Sequence, residues 1–284
     1  MLSIDIVNQI SIQFSIYFGV FTFIAGIIGG LCNVVVFLSL KTFRENSCAF
    51  YLTIMSILDI GQLTSSLLPR NLNFLFSIDW SIASLAYCKL RMFFFQACSL
   101  SSNTCMCLAV IDQYLATCSK PQLQRYSSIK VAHNSVCFVI IIWLLHGIPI
   151  LLFYTHIPVL ASDSYTCSSS NTIFQQYWTY GFILCLICAL PLLVTGTFGV
   201  LAYHNVSQLA YREIPVIRRE TDKQLTIMVL IQVLFNFCFI VPYTIVYMLN
   251  LAINLDRQSY SYAQLQLARN ITIAVYYWYF AVNL

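Results

Sequence analysis

One carboxylate lies in the middle of a long apolar stretch, and its surroundings limit the chemistry that it can do. Asp59 is the only charged residue between Glu45 and Arg70. An ionised side chain at the centre of a lipid bilayer costs about 2.5 kcal/mol or more, so such an acid requires polar partners. At about 1.5 Å per helical residue, Ser102 and Asn33 fall at a similar depth in their own apolar stretches. Together these side chains predict a structural hydrogen-bond cluster between helices, a pocket for a monovalent cation, or both.

The remaining residues with reactive side chains give no catalytic pattern. The four histidines are His133, His146, His156 and His204. None of them belongs to a His-Glu-x-x-His motif, which would indicate a metal-dependent hydrolase. Cys105 and Cys107 are two residues apart, so they do not face each other on a helix and indicate packing. The sequence therefore predicts no enzyme, no catalytic residue and no metal or other cofactor, with a sodium ion at Asp59 left open.

The composition excludes an ordinary soluble domain. Hydrophobic residues make up 60% of the 284 residues and charged residues only 8%, whereas about a quarter of the residues in soluble domains are charged. The net charge of +4 is small and scattered, and we expect no nucleic-acid partner. The composition indicates a lipid bilayer as the environment of the chain.

Long stretches without charge mark the segments that cross this membrane. Five of them reach the roughly 20 residues that a spanning helix needs, and they cover residues 6–40, 92–111, 131–162, 164–211 and 224–255. A sixth surrounds Asp59, and a seventh begins near residue 262. We therefore predict an all-α membrane protein with one seven-transmembrane domain over residues 1–284. Its helices α1 to α7 are predicted at about 14–40, 48–70, 87–118, 132–155, 174–203, 224–251 and 262–284.

The basic residues predict the orientation of the bundle. Nine of the fourteen Lys and Arg residues follow α1, α3 or α5, and the other five lie on the opposite side. Because basic residues concentrate in cytoplasmic loops, this bias places the N-terminus outside the cell. The loops after α2, α4 and α6 then face the oxidising exterior.

Two of the twelve cysteines lie on that outer side. Cys88 is at the outer start of α3, and Cys167 is in the serine-rich loop after α4. The other ten fall in the spans or on the cytoplasmic side. Since disulfides persist in oxidising compartments, Cys88 and Cys167 are the predicted pair. The alternative is two free thiols.

Several landmarks follow one another in an order typical of a known family. Asn33 comes after Gly-Gly-Leu-Cys, Asp59 comes after Ser-Ile-Leu, and Asp112-Gln113-Tyr114 stands 24 to 26 residues after Cys88. Further landmarks in register are Trp80, Trp143, Cys167, Pro191 and Pro242. Together they cover nearly the whole chain, which resembles rhodopsin-like (class A) G-protein-coupled receptors.

The chain also departs from the pattern of that family. Gln113 stands where the triplet normally has arginine, and Gly199 stands where a tyrosine is expected after the α5 proline. The positions of the usual Phe and Cys-Trp in α6 hold Asn236, Phe239 and Ile240. The Asn-Pro-x-x-Tyr motif of α7 is absent, and only 15 residues follow Arg269, about 22 Å of helix. We therefore expect a divergent, invertebrate-type orphan or peptide-receptor-like member with a truncated α7.

The resemblance implies a plasma-membrane receptor that transmits an extracellular signal to a heterotrimeric G protein. Amine receptors of the family carry an aspartate in the outer half of α3, where this chain has Phe93–Gln96. Opsins need a lysine in α7, and no lysine follows Lys223. We therefore expect neither an amine nor light as the signal, but a peptide or another small ligand. The candidate ligand-pocket residues are Phe95, Gln96, Tyr243, Tyr247 and Tyr276.

The resemblance also implies a switch at the cytoplasmic end of α3. Its residues are Asp112, Gln113, Tyr114 and, at the start of α6, Asp222. Glutamine cannot form the ion pair that arginine would form, so we expect one charge-assisted hydrogen bond between Gln113 and Asp222. The alternative is that Asp222 pairs with Arg218 or Arg219 on its own helix.

A membrane transporter or a channel is the alternative function. A transporter predicts an inverted repeat or interrupted helices with charges at the midplane, and a channel predicts a ring of like charges or a carbonyl filter. Apart from Pro191 and Pro242, the sequence contains little sign of these features.

Overall fold

The computed structural model describes residues 4–76, 78–159, 164–209, 216–253 and 259–282. Seven long helices dominate them: Ile4–Ser39 (α1), Ser47–Phe76 (α2), Leu85–Thr117 (α3), Ile129–Phe153 (α4), the continuous segments Thr172–Gln176, Tyr177–Ala189 and Leu190–Leu209 (α5), Val216–Ala252 (α6) and Tyr260–Val282 (α7). Short helical turns lie in the connections at Lys41–Arg44, Trp80–Ala83 and Pro121–Gln124. Among the described residues, six helices, α1 to α6, are both long enough and apolar enough to cross a membrane. The 23 residues of α7 reach about 34 Å, and the predicted all-α seven-helix bundle is confirmed.

Side-chain caps determine where three of these helices begin. Asn46, Ser84 and Asn171 precede α2, α3 and α5, and each side chain accepts a hydrogen bond from the backbone N–H three residues further on. The first four N–H groups of a helix have no partner inside it, and such a cap contributes about 1 kcal/mol. The observed starts of these helices therefore differ from the predicted ones by only one or two residues.

The first helix is longer than the sequence predicts. It begins at Ile4 instead of near residue 14. The added residues contain neither proline nor glycine, so nothing in their backbone ends the helix. The predicted bounds, 14–40, cover only the length of helix that a bilayer requires.

A two-stranded antiparallel hairpin connects α4 to α5. Strand β1 (Tyr154–Val159) pairs with β2 (Ser164–Ser169), and His156 lies opposite Cys167. A ring nitrogen of His156 also contacts the backbone carbonyl of Ser81 at 2.7 Å, which attaches the hairpin to the turn before α3. The serine-rich loop predicted after α4 thus contains a hairpin, and its strands carry aromatic and β-branched residues such as Tyr154, Ile157 and Tyr165, which favour a sheet.

Two of the long helices contain π-helical segments. Leu63–Leu67 interrupts α2, and Tyr177–Ala189 forms the first half of α5. In α5 the regular helix resumes just before Pro191, which has no N–H to donate, whereas Pro242 lies inside α6. A π-helical turn changes which side chains face the bundle, and such turns are frequent at functional sites.

The helices form a closed ring in which α3 is the central member. Packing joins α1 to α2 and α7, and α6 to α5 and α7, while α3 contacts α2, α4, α5 and α6. In an apolar 18-residue stretch of α3, 67% of the residues are buried, compared with 22% in the corresponding stretches of α1 and of α4. The exposed faces of α1 and α4 carry large apolar side chains such as Phe21 and Phe138, as lipid contact requires.

Candidate functional site

The predicted disulfide joins α3 to the hairpin. Cys88 and Cys167 are bonded, and their Cα atoms are 5.9 Å apart, within the usual range for a disulfide. This prediction is confirmed. We refer to the end of the bundle that carries this bond as the disulfide end, and to the other as the opposite end.

A cavity of about 210 Å³ lies between the helices at the disulfide end. It contains four of the five residues predicted to form a ligand pocket: Phe95, Tyr243, Tyr247 and Tyr276. They come from α3, α6 and α7, so three helices bring distant parts of the sequence to one space. We call this space the inner chamber.

Gln96 is the predicted pocket residue that lies elsewhere. Its side chain is only 1% exposed, and its amide contacts His146 on α4. Successive residues of a helix are turned by about 100°, so the residue after Phe95 faces α4 instead of the inner chamber. The structure therefore removes Gln96 from the predicted pocket.

Sequence reasoning misses the aromatic wall that α5 contributes. Trp178 and Phe182 stack with their ring centroids 4.3 Å apart, and both line the inner chamber near Phe95. They belong to the π-helical segment, whose side-chain spacing a regular helical pattern does not predict. Across the chamber, Tyr243 stacks on Tyr276 at 4.6 Å. The inner chamber therefore lies between two aromatic stacks.

A second cavity of about 320 Å³ lies between the hairpin and α5. We call it the vestibule. Trp178 and Tyr247 line both cavities, while Tyr154, Ser168 and Ser169 of the hairpin line the vestibule alone. Burial raises the pKa of the Tyr154 phenol above its ordinary value, so this group is a neutral hydrogen-bond donor at physiological pH.

The predicted polar cluster forms around Asp59. The hydroxyl of Ser102 on α3 donates a hydrogen bond to the Asp59 carboxylate, which is 3% exposed. The amide of Asn33 on α1 donates to the hydroxyl of Ser56 at 3.4 Å, one turn before Asp59 on α2. The structure thus brings Asp59 and Ser102 into contact and places Asn33 against the adjacent turn.

Two further buried side-chain amides lie near this cluster in the sequence. Gln62 is one turn after Asp59, Asn103 is next to Ser102, and the buried side-chain oxygens of these two amides have no hydrogen-bond partner within the described part of the chain. Carboxylate and neutral oxygens are the donors that hard cations take. In the same described residues, no three His, Cys, Asp or Glu side chains are grouped as a metal site would require.

A polar contact at the middle of the bundle replaces the usual aromatic residue of α6. The Asn236 amide donates to the hydroxyl of Tyr279 on α7 at 3.1 Å and lies 3.5 Å from the sulfur of Met106 on α3. Tyr279 in turn donates to the same sulfur at 2.9 Å. Asn236 therefore links three helices at one point.

Asp112, the first residue of the predicted switch, contacts α2. The Ser47 hydroxyl donates to its carboxylate at 2.7 Å and lies 3.2 Å from the hydroxyl of Ser127. Ser47 is the first residue of α2, and Ser127 precedes α4. The carboxylate of Asp112 thus fixes the end of α3 to two neighbouring segments.

The next two residues of the switch contact α6 and α5. The Gln113 side-chain oxygen accepts a hydrogen bond from the Thr226 hydroxyl at 3.1 Å. The ring of Tyr114 packs edge-on against Phe198, with the centroids 5.5 Å apart. The side chain of Asp222 lies outside the described residues, so its bond to Gln113 stays a prediction.

Comparison with known proteins agrees with this geometry. The family model described as "7 transmembrane receptor (rhodopsin family)" matches residues 30–283. No curated protein sequence matches the chain. Members of that family are receptors rather than enzymes, and the match favours a receptor over a transporter or a channel. With its seven helices, its Cys88–Cys167 disulfide and this match over most of its length, the chain belongs to the rhodopsin family (class A) of G-protein-coupled receptors and is a multi-pass protein of the plasma membrane.

Proposed function

We propose that this receptor binds a peptide or another small ligand in the inner chamber and vestibule, and that it activates a heterotrimeric G protein at the opposite end. The observation that carries the proposal is the pair of adjoining cavities at the disulfide end, which share Trp178 and Tyr247. Ligand pockets are typically concave, largely apolar and equipped with a few convergent polar groups. These cavities have that character.

The proposal places the disulfide end and the N-terminus outside the cell. Disulfides persist in oxidising compartments, and the bias of basic residues predicts the same orientation. The first turns of α1 lie at the disulfide end, since Asn270 on α7 donates to Ser11 at 2.7 Å and accepts from Arg70 at 2.8 Å. Arg70 is near the last residue of α2, whereas Ser47, the first residue of α2, contacts Asp112. Arg70 and Asp112 therefore lie at different ends of the bundle.

The lining of the cavities supports a peptide-like ligand over an amine. No aspartate or glutamate is present among the described lining residues, so an ammonium group would find no carboxylate there. Aromatic faces and hydroxyl groups dominate instead, and they suit the apolar side chains and amide groups of a short peptide. The vestibule would hold the part of the ligand that extends toward the hairpin.

The opposite end supplies the elements that a G protein would require to move. The switch residues contact α2, α5 and α6 from a single turn of α3. In this proposal the bond between Gln113 and Thr226 holds α6 against α3 until a ligand changes the packing above it. Asp59 and Ser102, with Gln62 and Asn103 beside them, would hold a sodium ion in the resting state.

The test is activation of labelled G-protein heterotrimers in cells that express the full chain. We expect at least one member of a library of short peptides to cause dissociation of the heterotrimer. Trp178→Ala should weaken the potency of that peptide about tenfold or more, because a buried tryptophan anchor typically contributes that much. Phe138→Ala, which removes a lipid-facing ring, is the matched control and should leave potency unchanged.

Two results would contradict the proposal. A response only to amines would exclude the peptide-like ligand. It would mean that an ammonium group binds without a carboxylate among the described lining residues. Equal potency of the peptide on the two variants would exclude the cavities as its binding site.

A further inference from the structure

An arginine that has no hydrogen-bond or ion-pair partner among the described residues lines the inner chamber. Arg91 lies on α3, one turn after Cys88, and lines the cavity beside Phe95 and Trp178. The only ion pair between described residues joins Lys41 to Glu45, far from this site. Within the described chain, the Arg91 guanidinium also makes no hydrogen bond, although it carries five donors. These donors are available to a ligand in the inner chamber.

Further positive charge surrounds the same space. The phenol of Tyr243 in the inner chamber lies within electrostatic range of Arg70 and Arg269, and the phenol of Tyr154 in the vestibule lies within range of Arg91. Arg70 gives one hydrogen bond to an asparagine and lies over a phenylalanine ring at 5.2 Å, so its described contacts are neutral. Among the described residues, three arginines therefore lie near the two cavities.

Few acidic side chains of the described residues lie at the disulfide end. At the disulfide end, the carboxylate of Asp79 caps the turn before α3 by accepting from the backbone N–H and the hydroxyl of Ser81. Asp5 is at the start of α1, and Asp163 and Asp256 lie outside the described residues. No acid among the described lining residues faces Arg91.

We propose that the ligand of this receptor carries an anionic group, a carboxylate, that binds Arg91, while its apolar body lies between the Trp178–Phe182 and Tyr243–Tyr276 stacks. This inference rests on the proposed ligand site and specifies its chemistry. Arginine binds carboxylates through two parallel N–H···O bonds, and the hydroxyls of Tyr243 and Tyr247 line the same chamber. The free C-terminus of a peptide and the head of a fatty acid offer this chemistry equally.

The test compares acids with amides of the same shape on the purified full chain in phosphatidylcholine nanodiscs. The peptide probes are N-acetyl-Phe-Phe and its C-terminal amide, and the lipid probes are decanoate and decanamide. We expect at least one acid to bind roughly tenfold or more tightly than its amide, because a charge-assisted pair replaces a neutral one. The probe pair that shows this preference identifies the source of the carboxylate.

Variants of the arginine provide the decisive comparison. Arg91→Gln should remove the preference for the acid while leaving the affinity for the amide, which also shows that the variant is folded. Arg91→Lys should keep part of the preference, since lysine supplies the charge without the two-pronged geometry. Lys89→Gln, which removes one charge from the same end of α3 outside the lining residues, should keep all of it.

The outcomes separate this inference from the proposed function. If neither acid binds more tightly than its amide, or if the preference survives at full strength in Arg91→Gln, the carboxylate site is wrong. A chain that prefers acids but activates no G protein would overturn the proposed coupling and leave the carboxylate site intact.

Discussion

Gly26 of α1 lies so close to Ala281 of α7 that a larger residue has no room between the two helices. A Cβ atom on Gly26 would stand 3.1 Å from the Cα of Ala281 and 2.4 Å from a methyl group of Leu63. In a membrane, small residues let helix backbones approach and gain packing contacts that lipid does not supply. This approach closes the ring between the first and the last helix.

Gly26→Ala should therefore destabilise the bundle. Overpacking of a well-packed interface typically costs about 1–3 kcal/mol, because the backbone of α7 must move. Gly196→Ala is the matched control, since a Cβ on Gly196 has no atom within 4 Å. The thermal unfolding of both variants in detergent checks the prediction, and equal melting temperatures for the two would contradict it.

Removal of the disulfide should lower the free energy of unfolding more than Gly26→Ala does. Cys88 and Cys167 are 79 residues apart, and closing a loop of that length stabilises by about 4 kcal/mol in the chain-entropy account. Cys167→Ser should lower the melting temperature strongly and make it insensitive to reducing agents. Cys137→Ser, at an exposed position of α4, should behave like the unaltered chain. A melting temperature of Cys167→Ser equal to that of the control would contradict the prediction.

The helices and the disulfide could be predicted because few physical rules determine them. A charge is costly in lipid, so the uncharged stretches around Asp59 and between the basic loops mark the spans. In the predicted orientation, Cys88 and Cys167 are the two cysteines on the outer side, where disulfides persist. Helix starts at Asn46 and Ser84 also follow from local capping chemistry.

The details of the cavity could not be predicted, because they depend on irregular backbone. The π-helical segment of α5 turns Trp178 and Phe182 into the inner chamber, and a regular 3.6-residue period does not describe it. Gln96 lies on α3 next to Phe95, but its side chain faces His146 on α4 and not the inner chamber. Its direction depends on the rotation of α3 within the bundle, which only packing against the other helices determines.

Sodium should stabilise the resting receptor through Asp59. Replacing N-methylglucamine chloride with sodium chloride at constant ionic strength should raise the melting temperature, because the cation would add a positive charge beside a buried carboxylate that accepts a hydrogen bond from the neutral hydroxyl of Ser102. Asp59→Asn should abolish this shift, and Ser102→Ala should reduce it. Asp79→Asn, at a capping position near the surface, should retain it. An equal sodium shift in the unaltered chain and Asp59→Asn would exclude the cation site.

The last prediction concerns how α3 and α6 are held together without the usual arginine. Gln113 accepts one neutral hydrogen bond from Thr226, and hydrogen bonds between membrane helices contribute about 0.6 kcal/mol on average. Asp222 is one turn before Thr226 on α6 and would add a charge-assisted bond to Gln113 of about 1.5–3 kcal/mol. Both are weaker than a bidentate ion pair of arginine with a carboxylate. We therefore expect appreciable basal signalling.

Three substitutions separate these contributions. Gln113→Arg should lower basal second-messenger output by creating the ion pair, and Asp222→Ala should raise it. Thr226→Val should raise the basal output about threefold, the factor that corresponds to 0.6 kcal/mol. Thr226→Ser keeps the hydroxyl and should change the basal output little. The output is measured per receptor at the cell surface. If Gln113→Arg and Asp222→Ala both leave the basal output unchanged, Asp222 does not bind residue 113 and instead pairs with Arg218 or Arg219 on its own helix. The contact between α3 and α6 then does not depend on a charge at position 113.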